Sequence, residues 1–278
     1  MPELPEVERG RRIAERTAVG RRIERVRCDD DPIVFHGVTP RSCRRALTGG
    51  EVRGTGRHGK YLWLELDSRP WPVIHFGMTG ALRAKDEPPL QLESGPDESP
   101  GAWPPRFSKL HLFLDDGGEL VFTNARRLGR VRMVNDPRAE SPIRDLGFDP
   151  LLDLPSARDL SAAIGRRTVT LKGLLLDQSF AAGVGNWIAD EVLYQAGLDP
   201  RRRACSLDPD EVRRLRTKLG HVVRTAVRVD ADNRRFPKGW LFHRRWHRGG
   251  SDVTSDGLSI RRDTVAGRTT AWVPERQR

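Results

Sequence analysis

Residues Leu171–Pro200 read LKGLLLDQSFAAGVGNWIADEVLYQAGLDP. Two helical patterns, Leu171–Phe180 and Trp187–Gln195, flank a turn that carries Gly183 and Gly185. Asn186 opens the second pattern, and Ile188, Val192 and Leu193 fall on its core-facing side. Free N–H groups at that N-terminus, with the Asn186 amide, would make a site for one phosphate oxygen. Taken alone, the ordinary reading outweighs it: an αα-hairpin with glycine turn chemistry. Further helical patterns lie on either side, at Ala157–Ile164 and Pro209–Val229.

Working toward the N-terminus, Pro142, Pro150 and Pro155 punctuate a linker around Asp145–Pro155. Before it come short alternating runs at Tyr61–Leu66, Val73–Phe76, Leu110–Leu114 and Glu119–Phe122. Breaks at Gly49-Gly50, Gly54-Gly56 and Gly117-Gly118 separate them, which is the pattern of a mostly antiparallel β domain. Residues 86–105 are proline-rich and aperiodic and read as an exposed loop. Residues 3–18 read as an amphipathic helix, with Pro5 in its first turn. Toward the C-terminus, Leu258–Arg262 and Thr269–Val273 flank Gly267 and read as a hairpin, with Arg268 at its tip. The architecture is α+β: β, then α, then a small basic β appendage. No internal repeat or low-complexity tract interrupts it.

The chain of 278 residues carries a net charge of +11, and residues 201–278 hold 20 Lys/Arg against 9 Asp/Glu. The first 200 residues hold 29 of each, so the whole excess sits in the last quarter. An acidic polymer is the natural partner of such a segment, because binding releases condensed counterions. Arginine outnumbers lysine 43 to 6, which suits phosphate but equally reflects a coding bias. No run of 18 apolar residues is present to span a membrane, and the start MPELPEVERGRR lacks a signal-peptide core. Cys28, Cys43 and Cys205 are too few and too scattered for a disulfide framework or a four-cysteine zinc site. His243 and His247 have ligand-like spacing but no thiolate partners.

The terminus has chemistry of its own. Removal of Met1 would expose a secondary amine on Pro2. A terminal amine titrates at roughly 7.7–8.0 against roughly 10.4 for lysine, so part of it is neutral and nucleophilic at pH 7. Attack on a sugar carbon at the aldehyde level gives an iminium ion, an electron sink for elimination. Glu3 lies beside it and Glu6 one helical turn on, as acid/base partners. In isolation these residues read more simply as a helix N-terminus stabilised by proline and acids.

Taken together, the chain resembles the formamidopyrimidine-DNA glycosylase / endonuclease VIII family of base-excision repair enzymes. MPELPEVE at 1–8, RHGKYLWLEL at 57–66, HFGMTGALR at 75–83, ARRLG at 125–129 and LLLDQ…GVGNWIADEVLYQ at 174–195 occur in the family's order. The resemblance implies a two-domain α+β fold: an N-terminal β-sandwich led by a helix, then a helix–two-turn–helix domain. It implies divisions at 1–145, 146–235 and 236–278. By position, Pro2 would be the nucleophile and Schiff-base former, Glu3 the general acid/base, and Lys60 the loop lysine that contacts phosphate and assists elimination. Glu6 joins the DNA-facing set. Met78, Arg126 and Leu128 would fill the hole left by a flipped nucleotide. His75, Arg167, Lys172 and Asn186 would bind phosphate.

Two departures carry further expectations. The absence of any cysteine after Cys205 removes the four-cysteine zinc finger of most bacterial relatives. GRTTAWVPERQ at 267–277 instead resembles the zincless finger of plant and fungal formamidopyrimidine-DNA glycosylases, with Arg268 as the fingertip arginine. No zinc, other metal or organic cofactor is expected. Leucine at 128, where phenylalanine is usual, stacks less well on the base opposite a lesion. The connection from the last helix to WLFH at 240–243 is also too short for the loop that closes over 8-oxoguanine in bacterial relatives. The resemblance thus implies a monomeric bifunctional glycosylase and AP lyase acting on double-stranded DNA with oxidised purines or abasic sites. Formamidopyrimidines and hydantoins would be preferred and 8-oxoguanine removed weakly. Its place would be the bacterial cytoplasm and nucleoid or the eukaryotic nucleus. Rival readings are an endonuclease VIII-like enzyme for oxidised pyrimidines, an inactive paralogue that binds damaged DNA, and a generic nucleic-acid-binding protein.

Overall fold

The leading amphipathic stretch forms α1 (Leu4–Ala18), whose Leu4, Val7, Ile13, Ala14 and Ala18 are buried. The computed structural model describes residues 1–85, 87, 103–246 and 252–278. It divides into two units: Met1–Asp145 with Asp230–Asn233, and Leu146–Val229 with Arg234–Arg278.

The first unit is a β-sandwich. One antiparallel sheet runs in the order β1 (Ile23–Cys28), β6 (Ser108–Leu114), β7 (Glu119–Thr123), β5 (Ala81–Ala84). The other runs β2 (Val52–His58), β3 (Tyr61–Leu66), β4 (Trp71–His75), β8 (Arg130–Val134). Strand alternation sends Leu62, Leu64 and Leu66 into one core with Leu110, Leu112 and Leu114 and with Val7, Ile13, Ala14 and Ala18 of α1. Burying each such leucine contributes about 1.5–3 kcal/mol. Trp63, of opposite parity, packs with Val73, Val134 and Ile143 on the other face. A short helix, α2 (Pro40–Leu47), buries Cys43 and Leu47 and is capped by Thr39, whose hydroxyl accepts from Ser42 N.

Gly54 and Gly56 do not form a break; they lie inside β2. A side chain at 56 would put its Cβ 2.2 Å from Trp63 Cε2, so the strand needs glycine there to admit the indole. Of the loop read at 86–105, residues 86 and 88–102 lie outside the described residues. Trp103 is tied to β7, its indole N–H donating to Glu119 Oε2 at 2.6 Å.

The second unit is helical: α3 (Ala157–Ile164), α4 (Leu171–Leu176), α5 (Asn186–Ala196) and α6 (Pro209–Arg228). Serine 156, Thr170 and Asp208 accept from backbone N–H groups at the starts of α3, α4 and α6. Helix α4 ends earlier than its apolar pattern, because Asp177 turns the chain: its carboxylate accepts from Ser179 N and its carbonyl from Phe180 N. The hairpin is β9 (Arg261–Val265) and β10 (Arg268–Trp272), joined at Ala266 and Gly267 with φ of 50° and 70°. Both central residues are left-handed, the geometry of a tight hairpin turn. The first strand starts later than the sequence suggests, since Thr254 and Leu258 close a turn of their own.

Candidate active site and DNA interface

In the first unit, Pro2 and Glu3 are buried at the mouth of α1. Glu3 N–H donates to Glu6 Oε2 at 2.8 Å, the Glu6 half of a capping box. Burial, with the charge of Glu3 beside it, pushes the Glu6 carboxyl up to about 7. A group that is half protonated at neutral pH can both give and take a proton next to residue 2.

Lys60 stands in the two-residue turn between β2 and β3, after Gly59 at φ 55°. Buried Arg57 anchors that turn, its Nη1 donating to Gly59 O at 3.0 Å and its Nε to Glu8 Oε2 at 2.9 Å. Glu8 also holds Arg11, which reaches Thr55 of β2 at 3.0 Å. The Glu8–Arg57–Gly59 relay therefore ties the turn of Lys60 to the first turns of α1. Replacing Arg57 by methionine is expected to lower the stability of this unit by about 3 kcal/mol, because it strands a buried carboxylate that Arg11 and, at 3.3 Å, Arg12 only partly compensate. Thermal melting measures it, and a loss below about 1 kcal/mol would show the pair to be incidental.

His75 ends β4 directly opposite Tyr61, with ring centroids 4.7 Å apart. Its Nδ1 accepts the Gly77 N–H at 3.2 Å, which leaves the proton on Nε2. Burial, then the charges of Lys60, Arg130 and Arg132, lower its pKa to about 4. At neutral pH it is an uncharged donor.

Met78 and Leu128 are exposed, at 36% and 42%, and Arg126 is exposed two residues before Leu128. They ride on two loops stitched together by side chains bonded to backbone. Asn124 Nδ2 donates to Phe76 O at 2.9 Å, Gly129 N donates to Asn124 Oδ1 at 2.9 Å, and Arg126 N reaches Thr79 Oγ1 at 3.3 Å. Arg127, at φ 55°, grips Asp31 through both Nε and Nη2. Arg127 and Lys109 hold that carboxylate near 2 against the penalty of burial.

In the second unit the structure corrects one expectation. Lys172 is fully buried, and its ammonium donates to Asp190 Oδ1 (2.6 Å), Thr269 O (3.0 Å) and Thr270 Oγ1 (2.7 Å). With three protons and three acceptors, it has nothing left for a phosphate. Asn186 is also drawn to the finger: Nδ2 donates to the same Thr269 carbonyl at 3.0 Å, while its buried Oδ1 has no partner. Arg268 is exposed at the start of β10. The structure thus gathers Lys172, Asn186 and the fingertip strand. Arg167 is exposed after α3, its carbonyl accepting from Cys205 N at 2.9 Å.

Sequence reasoning missed Asp190 and Arg245, and it missed Glu8 and Arg57. The signal for Asp190 was a carboxylate inside a helix buried almost all round. Beside it, Glu191 is buried, accepts from Phe242 N (2.8 Å) and Gln195 Nε2 (2.7 Å), and is pushed up to about 7 by burial. Its folded pKa lies above the unfolded value of about 4.3, so the folded state binds more protons between them. The stability of this unit is therefore expected to fall as pH rises from about 4.5 through 7 and to level above. Melting temperature against pH should show that slope, and Glu191→Gln should flatten it; an unchanged slope would refute the assignment.

The donor set does not fit a zinc finger. The chain has no cysteine after Cys205, and the described residues contain no cluster of three or more His, Cys, Asp or Glu side chains able to hold a metal. His243 instead faces the Phe236 carbonyl at 3.3 Å and packs edge-on to Phe242, while His247 lies outside the described residues. Direct contacts hold the finger: Trp272 Nε1 to Asp263 (2.8 Å), Arg276 to the Tyr194 hydroxyl (2.8 Å), and Gln277 Nε2 to Leu198 O (3.0 Å). Among the described residues, no helix is long and apolar enough to cross a membrane.

These features define a class: an N-terminal β-sandwich followed by a helix–two-turn–helix module that ends in a hairpin finger. Residues 1–131 match the formamidopyrimidine-DNA glycosylase N-terminal domain, and residues 146–238 the formamidopyrimidine-DNA glycosylase H2TH domain. The chain is 42% identical over 278 residues to a formamidopyrimidine-DNA glycosylase of Arabidopsis thaliana, covering all of this chain and 71% of that one. It is 36% identical over 291 residues to the Heliobacterium modesticaldum enzyme of the same name, covering all of both. A Lactococcus lactis formamidopyrimidine-DNA glycosylase, solved non-covalently bound to DNA containing an AP site, shares the fold at a TM-score of 0.80 and 23% identity over 99% of each chain. The chain belongs to the formamidopyrimidine-DNA glycosylase family.

Proposed function

We propose that this protein is a bifunctional DNA glycosylase and AP lyase that removes oxidised purines from double-stranded DNA. The observation that carries the reading is the buried Pro2–Glu3–Glu6 terminus, with a carboxyl poised near neutrality beside the nucleophile's position. With Met1 removed, the Pro2 amine attacks C1′ of the flipped nucleotide, the base leaves with the C1′–N bond electrons, and the amine sheds its proton. Glu3 then protonates O4′, the C1′–O4′ bond breaks as the nitrogen lone pair closes the iminium, and Glu6 exchanges a proton alongside. Loss of a C2′ proton then expels the 3′ phosphate, and a second elimination expels the 5′ phosphate. Lys60 and neutral His75 bind phosphate oxygens, one as a cation and one as an Nε2–H donor.

Met78, Arg126 and Leu128 fill the vacated stack, where methionine bends into irregular space and arginine can bond the orphaned base edge. Arg268 and Arg167 grip phosphates, as does the α5 N-terminus at Asn186. Lys172 is withdrawn from that set. The finger works without zinc, so chelation with EDTA is expected to leave strand cleavage unchanged, and loss of cleavage restored by zinc would refute it. Leu128 and the short connection before Trp240 favour ring-opened formamidopyrimidines over 8-oxoguanine. Excision from matched duplexes carrying formamidopyrimidine, 8-oxoguanine or an oxidised pyrimidine tests the reading. Comparable rates for the two purine lesions would overturn the preference, and pyrimidine lesions alone as substrates would overturn the substrate class.

A further inference from the structure

The three residues after Arg268 make four hydrogen bonds with side chains of α4 and α5. Lys172 Nζ donates to Thr269 O and Thr270 Oγ1, Asn186 Nδ2 donates to Thr269 O, and Ala271 N donates to Asp190 Oδ2 at 3.3 Å. Asp190 is the hub. Its Oδ1 takes Lys172 at 2.6 Å and its Oδ2 takes Arg245 Nη2 at 2.6 Å, and the side chains of both Asp190 and Lys172 are wholly inaccessible. Burying such ions costs several kcal/mol each, and apolar residues of equal volume often serve stability better. The apolar core under the finger is small: Tyr194, Leu241, Ile260, Ala271 and Val273, with Leu258 at its edge. The tight turn at Ala266 and Gly267 sets the pairing of the two strands, but so few apolar contacts specify only weakly where the ribbon sits on the helices, whereas directional bonds to Thr269, Thr270 and Ala271 specify it.

We infer that Asp190, acting through Lys172 and Arg245, is a positioning residue for Arg268, fixing the seat of β10 against α4 and α5 so that the fingertip guanidinium is presented at one place. Arg268 lies within the field of this cluster: burial lowers the Lys172 pKa against the pull of Asp190, and the charges of Arg245 and Arg268 lower it further. The inference rests on the proposed role of Arg268 as a phosphate clamp.

A double-mutant cycle separates positioning from mere bracing. Binding to a duplex with a tetrahydrofuran abasic analogue and single-turnover cutting of a natural abasic site would be measured for Asp190→Asn, Arg268→Ala and the pair. Asp190→Asn should weaken binding by about tenfold in the native background and by less than about twofold when Arg268 is already alanine. Equal losses in both backgrounds, or no loss in either, would overturn the inference. Thr270→Val guards against misfolding, since it removes one bond without stranding a charge. It should cost about threefold, again only when Arg268 is present, and equal or absent losses would overturn the inference as well. Native protein that neither binds nor cuts would instead fail the functional reading, and the inference with it.

Discussion

A form of the protein that retains Met1 is expected to give no covalent adduct when borohydride is added to it on an abasic-site duplex, whereas the processed form is trapped through residue 2. The argument is one of chemistry and space. An amide nitrogen at Pro2 has no basic lone pair to form an iminium, and Pro2 and Glu3 are already buried at the start of α1. Base excision should fall to background in the same sample, because the terminal amine that remains, on Met1, stands one residue away from the buried Pro2 position. Lys60 sits on a separate turn held by Arg57. Trapping of the Met1 form at the processed rate would show that an amine other than that of Pro2, the Met1 terminus included, serves as the nucleophile. Glu3→Gln, processed normally, should still form the adduct but slowly, since ring opening loses its proton donor by about 10²–10⁴-fold.

Gly77→Ala should have the second-largest effect, on a residue with no chemistry of its own. Gly77 has φ 64°, and a Cβ there would stand 2.4 Å from the Leu128 carbonyl carbon and 2.5 Å from its oxygen. Backbone cannot swing aside as a flexible side chain can, so the loops bearing Met78 and Leu128 must part. Left-handed strain and the clash together should destabilise the first unit by about 2–3 kcal/mol. Lesion-specific binding should fall by about tenfold or more, since the void-filling side chains no longer arrive together. Met78→Ala is the control: it should weaken binding while leaving the melting temperature unchanged, because its side chain is exposed. A Gly77→Ala protein that melts and binds like the native one would refute the stitched-loop account.

Much of this was legible in local pattern. The helix α3, strand β3 and the span of α6 follow from periodicity and capping, which act within a few residues. The terminal carboxylates and the fingertip arginine were legible as residue types in order. Strand β2 was not, because its glycines look like a break until Trp63 is seen lying over Gly56. Lys172 misled for a related reason: the resemblance put it at a phosphate-binding position, and only the fold brings Asp190, Thr269 and Thr270 around it.

The sequence by itself therefore determined the family, most of the longer elements and the order of the candidate groups, because propensity, period and motif order are properties of neighbouring residues. Tertiary structure alone decided which charges are solvated and which are spent internally. Glu6 and Glu191 titrate near neutrality, His75 is neutral, and Lys172 braces a strand. Those outcomes depend on desolvation and on partners far along the chain, such as residues 172 and 269, and no local pattern carries that information.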